Sequence, residues 1–343
     1  MNNFSFVKKI IIDKKNISHK SNTYVIAEAG VAHFGNLKKA FRLVDLAKNA
    51  GADAVKFQAY ITDELIFNKF KSWYNRYKLK EIDYTFLYKL EKYCKKKKIT
   101  FLFTPHSETA IKWAKKLRIP AIKVGSGEIG NFNFLNQLVN LKKPIIVSTG
   151  MHSEKDLKDL RNFFKNKNFK KVIFLRCVTS YPTKINELNL RNMSKFKKIF
   201  KNAIIGYSDH TNSDLAIHFA VSNGAKLIEK HISLDFNVKN AQDWKVSHDE
   251  FRLKNLIQNI RKLDIIGGKQ NILPSKNELS SKIWATKSLF YKNKFIKGQI
   301  LSEDMICAKR PGTGIKCSNL KKYIGKKLKK NTSVRMIKKS DFK

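Results

Sequence analysis

The chain reads AIIGYSDH at residues 203–210 and LIEKH at residues 227–231. Both stretches are short apolar runs that end in a histidine, and the segment between them has the periodicity of one helix. A strand, a helix and a second strand in this order predict two neighbouring parallel strands. His210 and His231 would then reach the same rim of a parallel barrel, where active sites usually lie. Two imidazoles at that rim could hold a divalent metal ion.

The same alternation of strand and helix recurs along most of the chain. Short runs rich in Val, Ile and Phe occupy residues 24–29, 54–59, 99–104, 121–126, 144–149, 172–178, 203–208 and 226–231. Each is followed by a segment with helical periodicity, and after the first run Leu37, Phe41 and Val44 mark one apolar face. Eight alternations predict an α/β fold with a closed (β/α)8 TIM barrel. A doubly wound open sheet gives similar local signals, but the count of eight and the polar strand ends favour the barrel.

The pattern changes near the end of the predicted barrel. We expect the barrel over residues 1–265, a linker with glycines and a proline over 266–287, and a small domain of short strands and turns over 288–343. Such a tail is small for an independent domain without disulfides, so docking on a barrel of its own or a partner subunit would stabilise it. A long aromatic insertion around residues 67–88 is expected to cover the barrel or to contact another subunit.

The net charge of +43 raises the question of a nucleic-acid partner. The lysines are scattered over nearly every predicted helix, and no DNA- or RNA-binding module accompanies them. This distribution indicates a composition bias of the whole chain, so we expect no nucleic-acid partner. The positive field would still attract anionic substrates.

The cellular compartment is predicted from the apolar runs and the cysteines. No apolar run approaches the ~18 residues of a membrane span, and the N-terminal stretch lacks the features of a signal peptide. The 4 cysteines show no metal-finger spacing, which is typical of free thiols in a reducing environment. We therefore expect a cytoplasmic protein without a membrane partner.

Polar residues gather at the carboxyl ends of the predicted strands. They are Glu28, Lys56, Gln58, Thr104, Lys123, Ser126, Glu128, Ser148, Ser208, His210, Glu229 and His231. Lysines and hydroxyls suit a phosphate or carboxylate anion, neutral imidazoles suit a borderline divalent metal, and carboxylates can move protons. A single strand-end lysine is most often solvated and a single histidine is usually packed. An inward Lys56 between Val55 and Phe57 needs a partner, however, and the assembled set predicts an active site.

Eight motifs in this order are similar to those of a known family. They are AEAGV (27–31), VKFQ (55–58), KVGSGE (123–128), STGM (148–151), SYP (180–182), GYSDHT (206–211), EKH (229–231) and KRPGTG (309–314). Together they resemble the sialic acid synthase family over residues 22–335. The last motif resembles the C-terminal antifreeze-like (SAF, β-clip) domain of that family.

The resemblance implies a transferase that condenses phosphoenolpyruvate with an open-chain N-acetylated amino sugar such as N-acetylmannosamine. The products would be a nonulosonic (sialic-type) acid and phosphate, released by cleavage of the C–O bond. The family uses a divalent metal, commonly Mn²⁺, with Mg²⁺ and Co²⁺ as further possibilities. It forms domain-swapped homodimers in which the C-terminal domain of one subunit caps the barrel of the other.

Carried over residue by residue, the resemblance assigns roles to the rim. The metal ligands would be His210 and His231. The residues around phosphoenolpyruvate would be Lys56, Thr104, Lys123, Ser126, Ser148 and Ser208. The residues on the sugar would be Gln58, Tyr181, Asp243 and Arg310, with Arg310 coming from the partner subunit. Glu28 and Glu128 would transfer protons or orient water, and the choice of base between them stays open.

One departure leaves the acceptor sugar open. The family often has Asp-His-x-Ala-Ser after the eighth strand, whereas this chain reads DWKVS at 243–247. The acceptor is therefore N-acetylmannosamine, its 6-phosphate, or a 2,4-diacetamido sugar that gives a legionaminate-like or pseudaminate-like acid. Two other functions compete: a related 3-deoxy-keto acid phosphate synthase acting on another aldose, and a non-enzymatic glycan-binding relative. Arg310 in its glycine-rich turn argues against the first, and the paired histidines and lysines argue against the second.

Overall fold

A computed structural model describes residues 4–268 and 272–342 of the chain. An N-terminal hairpin, β1 (Lys9–Ile12) and β2 (Lys15–Ser18), precedes eight parallel strands. These are β3 (Tyr24–Gly30), β4 (Ala54–Ala59), β5 (Thr100–Pro105), β6 (Ile122–Val124), β7 (Ile145–Ser148), β8 (Val172–Cys177), β9 (Ile204–Asp209) and β10 (Leu227–His231). All eight predicted strands are thus confirmed, with ends that differ from the predicted ones by at most two residues.

The eight strands form a nearly closed barrel in the order β5-β4-β3-β10-β9-β8-β7-β6. Within the described residues the end strands β5 and β6 lie side by side without a shared hydrogen-bond ladder. This arrangement agrees with the predicted TIM barrel. The first barrel strand pairs with the last, so that Glu28 lies level with His231 on one side and with Lys56 on the other. Closure therefore brings residues from opposite ends of the sequence to one rim.

Helices cover the outside of the barrel. They are α1 (Leu37–Asn49), α2 (Thr62–Leu65), α3 (Lys71–Lys78), α4 (Tyr84–Lys97), α5 (Glu108–Leu117), α6 (Phe132–Val139), α7 (Glu154–Asn166), α8 (Met193–Ile199), α9 (Leu215–Ser222) and α10 (Glu250–Ile266). A capping box between Ser153 and Asp156 begins α7, because each residue satisfies a backbone N–H that the helix leaves unpaired. Among the described residues, no helix is both long enough and apolar enough to cross a membrane.

The barrel interior is filled by aliphatic side chains of alternate strand positions, and the hairpin packs onto them through Ile10, Ile12 and Ile17. The glycine of the stretch 203–210, Gly206, is required by packing. A Cβ atom there would lie 2.5 Å from the side chain of Leu175, a separation that real Cβ atoms do not show. Only glycine lets β9 keep this side of the interior filled.

The chain divides into two compact units, Met1–Gly268 and Lys269–Lys343. The second unit contains helix α11 (Lys276–Ala285) and the antiparallel strands β11 (Ser288–Tyr291) and β12 (Ile306–Lys309). It has its own core, formed by Leu289, Tyr291, Leu301, Met305, Ile306, Ile315, Leu328, Ile337 and Phe342. Helix α11, which a capping box of Ser275 and Glu278 begins, lies inside the range 266–287 that the sequence predicted as a linker. The 4 cysteines are unpaired, as predicted.

Candidate active site

Three strands bring a lysine and two carboxylates together at the carboxyl end of the barrel. The Nζ atom of Lys56 lies 2.7 Å from Oε2 of Glu28 and 3.6 Å from Oε2 of Glu229. It also donates a hydrogen bond to the hydroxyl of Thr104 at 3.0 Å. All four side chains are buried. Lys56 is therefore an inward charge with partners, as its place between two apolar residues requires.

A second buried lysine faces the same carboxylate from the other side. The Nζ atom of Lys123 donates to Oγ of Ser148 at 2.7 Å and lies 3.5 Å from Oε1 of Glu229. The same carboxylate oxygen accepts from the hydroxyl of Ser208 at 3.0 Å. Glu229 thus lies between the two lysines. Sequence reasoning placed Glu229 beside His231 on one strand face but gave it no role.

The environment shifts the pKa values of the two lysines and the two glutamates of this network in different directions. Burial raises the pKa of Glu28, although Lys56 opposes the shift. Burial also opposes the charge on Lys56, but Glu229 and Glu28 outweigh it and its pKa is raised. Burial lowers the pKa of Lys123. For Glu229, Lys123 and Lys56 overcome the cost of burial and hold the pKa below its usual range. Glu28 is therefore the carboxylate better suited to take up a proton.

The two histidines lie next to each other beside this network. Their ring centroids are 5.3 Å apart, and both side chains are buried. The Nδ1 atom of His210 is 2.6 Å from the carbonyl oxygen of Val178, and its Nε2 atom is 2.8 Å from the hydroxyl of Tyr181. A carbonyl oxygen only accepts, so Nδ1 carries the proton and Nε2 accepts from the hydroxyl of Tyr181. In His231, Nδ1 lies 3.8 Å from Oδ2 of Asp243.

These donors fit a catalytic metal site with open positions. Among residues 4–268 and 272–342, no three His, Cys, Asp or Glu side chains converge into a cluster that could hold a metal ion by itself. The imidazoles of His210 and His231 are donors that a borderline divalent ion accepts, and such an ion would need its other ligands from water or substrate. A closed structural site would need more protein ligands.

A cavity of about 130 Å³ lies on the side of Gln58 and Asp243. Its walls include Tyr60, Trp73, Arg76, Tyr77, Lys80 and Trp244. The amide of Gln58 donates to Oε1 of Glu28 at 2.9 Å, which connects this cavity to the charged network. Gly30 lies at this junction with a left-handed backbone (φ 53°), and a Cβ there would be 3.4 Å from both Asp243 and Glu28. Because Trp73, Arg76 and Tyr77 belong to α3, the aromatic insertion of residues 67–88 covers this part of the rim.

The remaining predicted residues lie in different places. The hydroxyl of Ser126 accepts from the backbone N–H of Gly150 at 2.9 Å and is buried near the rim. The structure does not bring Glu128 into the charged network. Its carboxylate accepts from Asn131 at 2.8 Å and lines a different cavity of about 580 Å³ together with His106. The short turn Ser126–Glu128 explains this separation, because it buries Ser126 and leaves Glu128 half-buried.

Arg310 belongs to the second compact unit. It is exposed, and its guanidinium lies 5.5 Å from the ring centroid of Trp284. Its predicted contact with the sugar stays a prediction.

The family follows from a comparison with known proteins. A family model described as the NeuB family matches residues 43–271. The chain belongs to the NeuB family. The N,N'-diacetyllegionaminic acid synthase of Campylobacter jejuni is 35% identical over 324 residues, which cover 90% of this chain and 96% of that protein. The human N-acetylneuraminate-9-phosphate synthase is 32% identical over 302 residues, covering 83% and 82%.

A solved structure supports the same NeuB assignment. The sialic acid synthetase of Leptospira borgpetersenii, crystallised with citrate, superposes with a TM-score of 0.76 at 29% identity, covering 81% of this chain and 96% of that one. The resemblance to sialic acid synthases in the sequence motifs is thus confirmed. The named NeuB relatives make different acids, so the family alone leaves the acceptor open.

Proposed function

We propose that this NeuB protein condenses phosphoenolpyruvate with an open-chain N-acetylated amino sugar and releases a nonulosonic acid and phosphate. The observation that carries the proposal is the pair of buried lysines, Lys56 and Lys123, beside the pair of buried histidines. Buried cations next to hydroxyls suit a small phosphorylated carboxylate. The names of the relatives support the same chemistry.

The two lysines alone do not make the site positive enough for a highly anionic substrate, so a further positive charge is needed there. Lys56 and Lys123 balance Glu28 and Glu229 when both carboxylates are ionised. Phosphoenolpyruvate, a trianion, would then enter a centre without net charge. A divalent ion at the histidines would supply part of the missing compensation. The hydroxyls proposed around the anion are those of Thr104, Ser126, Ser148 and Ser208.

The reaction forms one carbon–carbon bond and breaks one carbon–oxygen bond. The enol carbon of phosphoenolpyruvate attacks the aldehyde carbon of the sugar, and the aldehyde oxygen takes a proton. Water then adds to the adjacent cationic carbon and loses a proton, and the tetrahedral intermediate expels phosphate. Between the two candidate bases we favour Glu28 over Glu128, since Glu28 contacts both Lys56 and Gln58.

We propose that His210 and His231 hold the divalent ion, with Mn²⁺ as the first choice and Mg²⁺ or Co²⁺ as alternatives. When bound, such an ion would supply a Lewis acid for the aldehyde oxygen. The carbonyl oxygen of Val178 keeps the imidazole of His210 oriented through its 2.6 Å contact with Nδ1, and the hydroxyl of Tyr181 would have to release Nε2 for the ion. The protein's own contribution is therefore to hold two nitrogen donors beside the anion site.

The acceptor is proposed to occupy the cavity beside Gln58 and Asp243. We propose that the working enzyme is a domain-swapped homodimer, in which an antifreeze-like C-terminal domain brings Arg310 of one subunit to the acceptor of the other. Trp244 forms part of the cavity wall at the position where the family often has histidine. The choice among N-acetylmannosamine, its 6-phosphate and a 2,4-diacetamido sugar depends on this wall.

The direct test is an assay of phosphate release from phosphoenolpyruvate with Mn²⁺ and a panel of acceptors. The panel contains the three sugars named above, and a pentose phosphate and a tetrose phosphate as controls. We expect release with at least one N-acetylated sugar, and a product mass that equals sugar plus pyruvate. Phosphate release with only the pentose or tetrose phosphate would contradict the proposal. Phosphate release with no member of the panel would also contradict it.

A further inference from the structure

Two residues of the strand-end motifs have no part in the reaction proposed above. Asp209 precedes His210 on β9, and Lys230 precedes His231 on β10. Successive side chains of a strand point to opposite faces. The histidines and the network residues Ser208 and Glu229 therefore share the inner face, and the other two residues lie on the outer face. We call Asp209 and Lys230 the outer pair.

The outer pair is a short and completely buried ion pair. The Nζ atom of Lys230 lies 2.6 Å from Oδ2 of Asp209, and both side chains are 0% exposed. The carboxylate of Asp209 also accepts from the hydroxyl of Tyr207 at 2.9 Å and from that of Thr211 at 3.0 Å. Lys230 makes a further bond to the backbone oxygen of Thr211 at 2.7 Å. These bonds connect both sides of the His210 backbone to β10.

The strand register places the outer pair directly before the histidines. Ser208 lies level with Glu229, and Asp209 lies level with Lys230. The first of these two levels carries a hydrogen bond on the inner face, and the second carries the ion pair on the outer face. The next level along both strands holds His210 and His231. The ion pair is thus the last cross-strand link before the two imidazoles.

Stability alone does not explain a charged pair at this place. Two buried charges pay a large desolvation penalty, and apolar residues of similar size often stabilise a protein as well or better. What the charged pair adds is direction, because charge-assisted hydrogen bonds fix distance and angle. Groups that hydrogen-bond a metal-binding histidine affect its affinity for the metal, and the outer pair would act on the two histidines one step further away, through the strand backbone.

We propose that Asp209 and Lys230 are positioning residues that hold His210 and His231 at the separation a divalent ion requires. The inference rests on the proposed function, since it assumes that the histidine pair binds the ion. It assigns the motif residues Tyr207 and Thr211 to the same task. The outer pair itself touches neither substrate nor metal.

The test measures Mn²⁺ binding through the electron paramagnetic resonance signal of the free ion, without any substrate. The variant Asp209→Asn/Lys230→Met removes both charges, so no unpaired charge stays buried. We expect it to remain folded and to bind Mn²⁺ about tenfold more weakly than the wild type or worse. The matched control is Lys226→Met, which removes the ion pair of Lys226 with Asp264 at the other end of β10. This control should bind Mn²⁺ like the wild type.

The outcomes separate the inference from the proposed function. A folded double variant with wild-type Mn²⁺ affinity would overturn the inference and leave the metal site intact. A wild type that binds no Mn²⁺ would contradict the metal part of the proposed function and the inference with it. If the double variant does not fold, Tyr207→Phe decides the question, because it deletes only the 2.9 Å bond to Asp209. We expect a loss of affinity of about two- to fivefold, and an unchanged affinity would overturn the inference.

Discussion

The two ends of the barrel use the same kinds of charged residues in opposite ways. At the carboxyl end, the lysines are buried and two of them share Glu229. At the amino end, the carboxylates are the saturated groups. Asp264 accepts from the backbone N–H and the hydroxyl of Thr23, both at 2.8 Å, and pairs with the partly exposed Lys226. Asp53 accepts from the backbone N–H of Val25 at 2.7 Å and pairs with the side chains of Lys15 and Arg261.

This difference indicates which end does chemistry. Carboxylates saturated by backbone and cation donors fix the start of a strand and have little capacity left for a ligand. The Nζ atoms of the buried Lys56 and Lys123 lie only 3.6 and 3.5 Å from Glu229, so these long contacts can give way to an incoming anion. Barrel enzymes keep catalysis at the carboxyl end and stability at the amino end, and here the division is visible in the hydrogen bonds.

Lys123→Met gives the largest expected effect. It removes a buried cation that contacts Ser148 and faces Glu229, so the phosphorylated substrate loses a charge-assisted partner. We expect kcat/KM for phosphoenolpyruvate to fall by about 10³-fold, measured at a temperature where the variant is folded. Lys155→Met, on the exposed surface of α7, is the matched control and should keep full activity. A kcat/KM of Lys123→Met within tenfold of the wild-type value would show that the buried lysines at the carboxyl end are not needed for the chemistry.

Glu28→Gln is expected to follow. The substitution keeps size and hydrogen bonding toward Gln58 but removes a group whose pKa burial raises. We expect kcat to fall by about 10²-fold in the phosphate-release assay. Glu128→Gln should cost less, because Glu128 lies in the other cavity. A larger loss for Glu128→Gln would transfer the role of base to Glu128.

At the amino end, Asp264→Ala should affect stability and leave the chemistry alone. The substitution orphans the backbone N–H and the hydroxyl of Thr23. We expect the free energy of unfolding to fall by about 2 kcal/mol, measured by chemical denaturation, with kcat unchanged at a temperature where the variant is folded. The exposed Asp159→Ala serves as the reference. A catalytic defect in folded Asp264→Ala would show that the two ends are coupled.

The smallest expected effect is a pH dependence. Lysine is cationic below its pKa, and burial lowers the pKa of Lys123 from its usual value. The cation is therefore lost at a lower pH than for an ordinary lysine, and KM for phosphoenolpyruvate should rise several-fold as pH climbs toward ~10. Lys123→Arg keeps its charge there and should remove this rise. A wild-type KM that stays flat up to that pH would show that Lys123 remains protonated or is not needed.

The sequence predicted the barrel well, because buried parallel strands leave near-continuous apolar runs. It also predicted Lys56, Lys123, His210 and His231 as rim residues, since each stands at or near the end of such a run. It named Glu229 at a strand end but gave it no role, and it missed the outer pair. Both depend on strand pairing, because closure places β10 between β3 and β9. Helix α11 was missed although Ser275 and Glu278 form a recognisable capping box. The position of Glu128 depends on a short turn whose direction the sequence does not reveal.

We propose that the carboxyl end of the barrel cleaves the C–O bond of phosphoenolpyruvate while joining it to an N-acetylated sugar. The most direct measurement uses phosphoenolpyruvate labelled with ¹⁸O in the oxygen that bridges carbon and phosphorus. We expect the label to leave with inorganic phosphate, and the keto group of the new acid to carry oxygen from water. Label retained in the keto acid would mean that the P–O bond breaks instead, and would contradict the account.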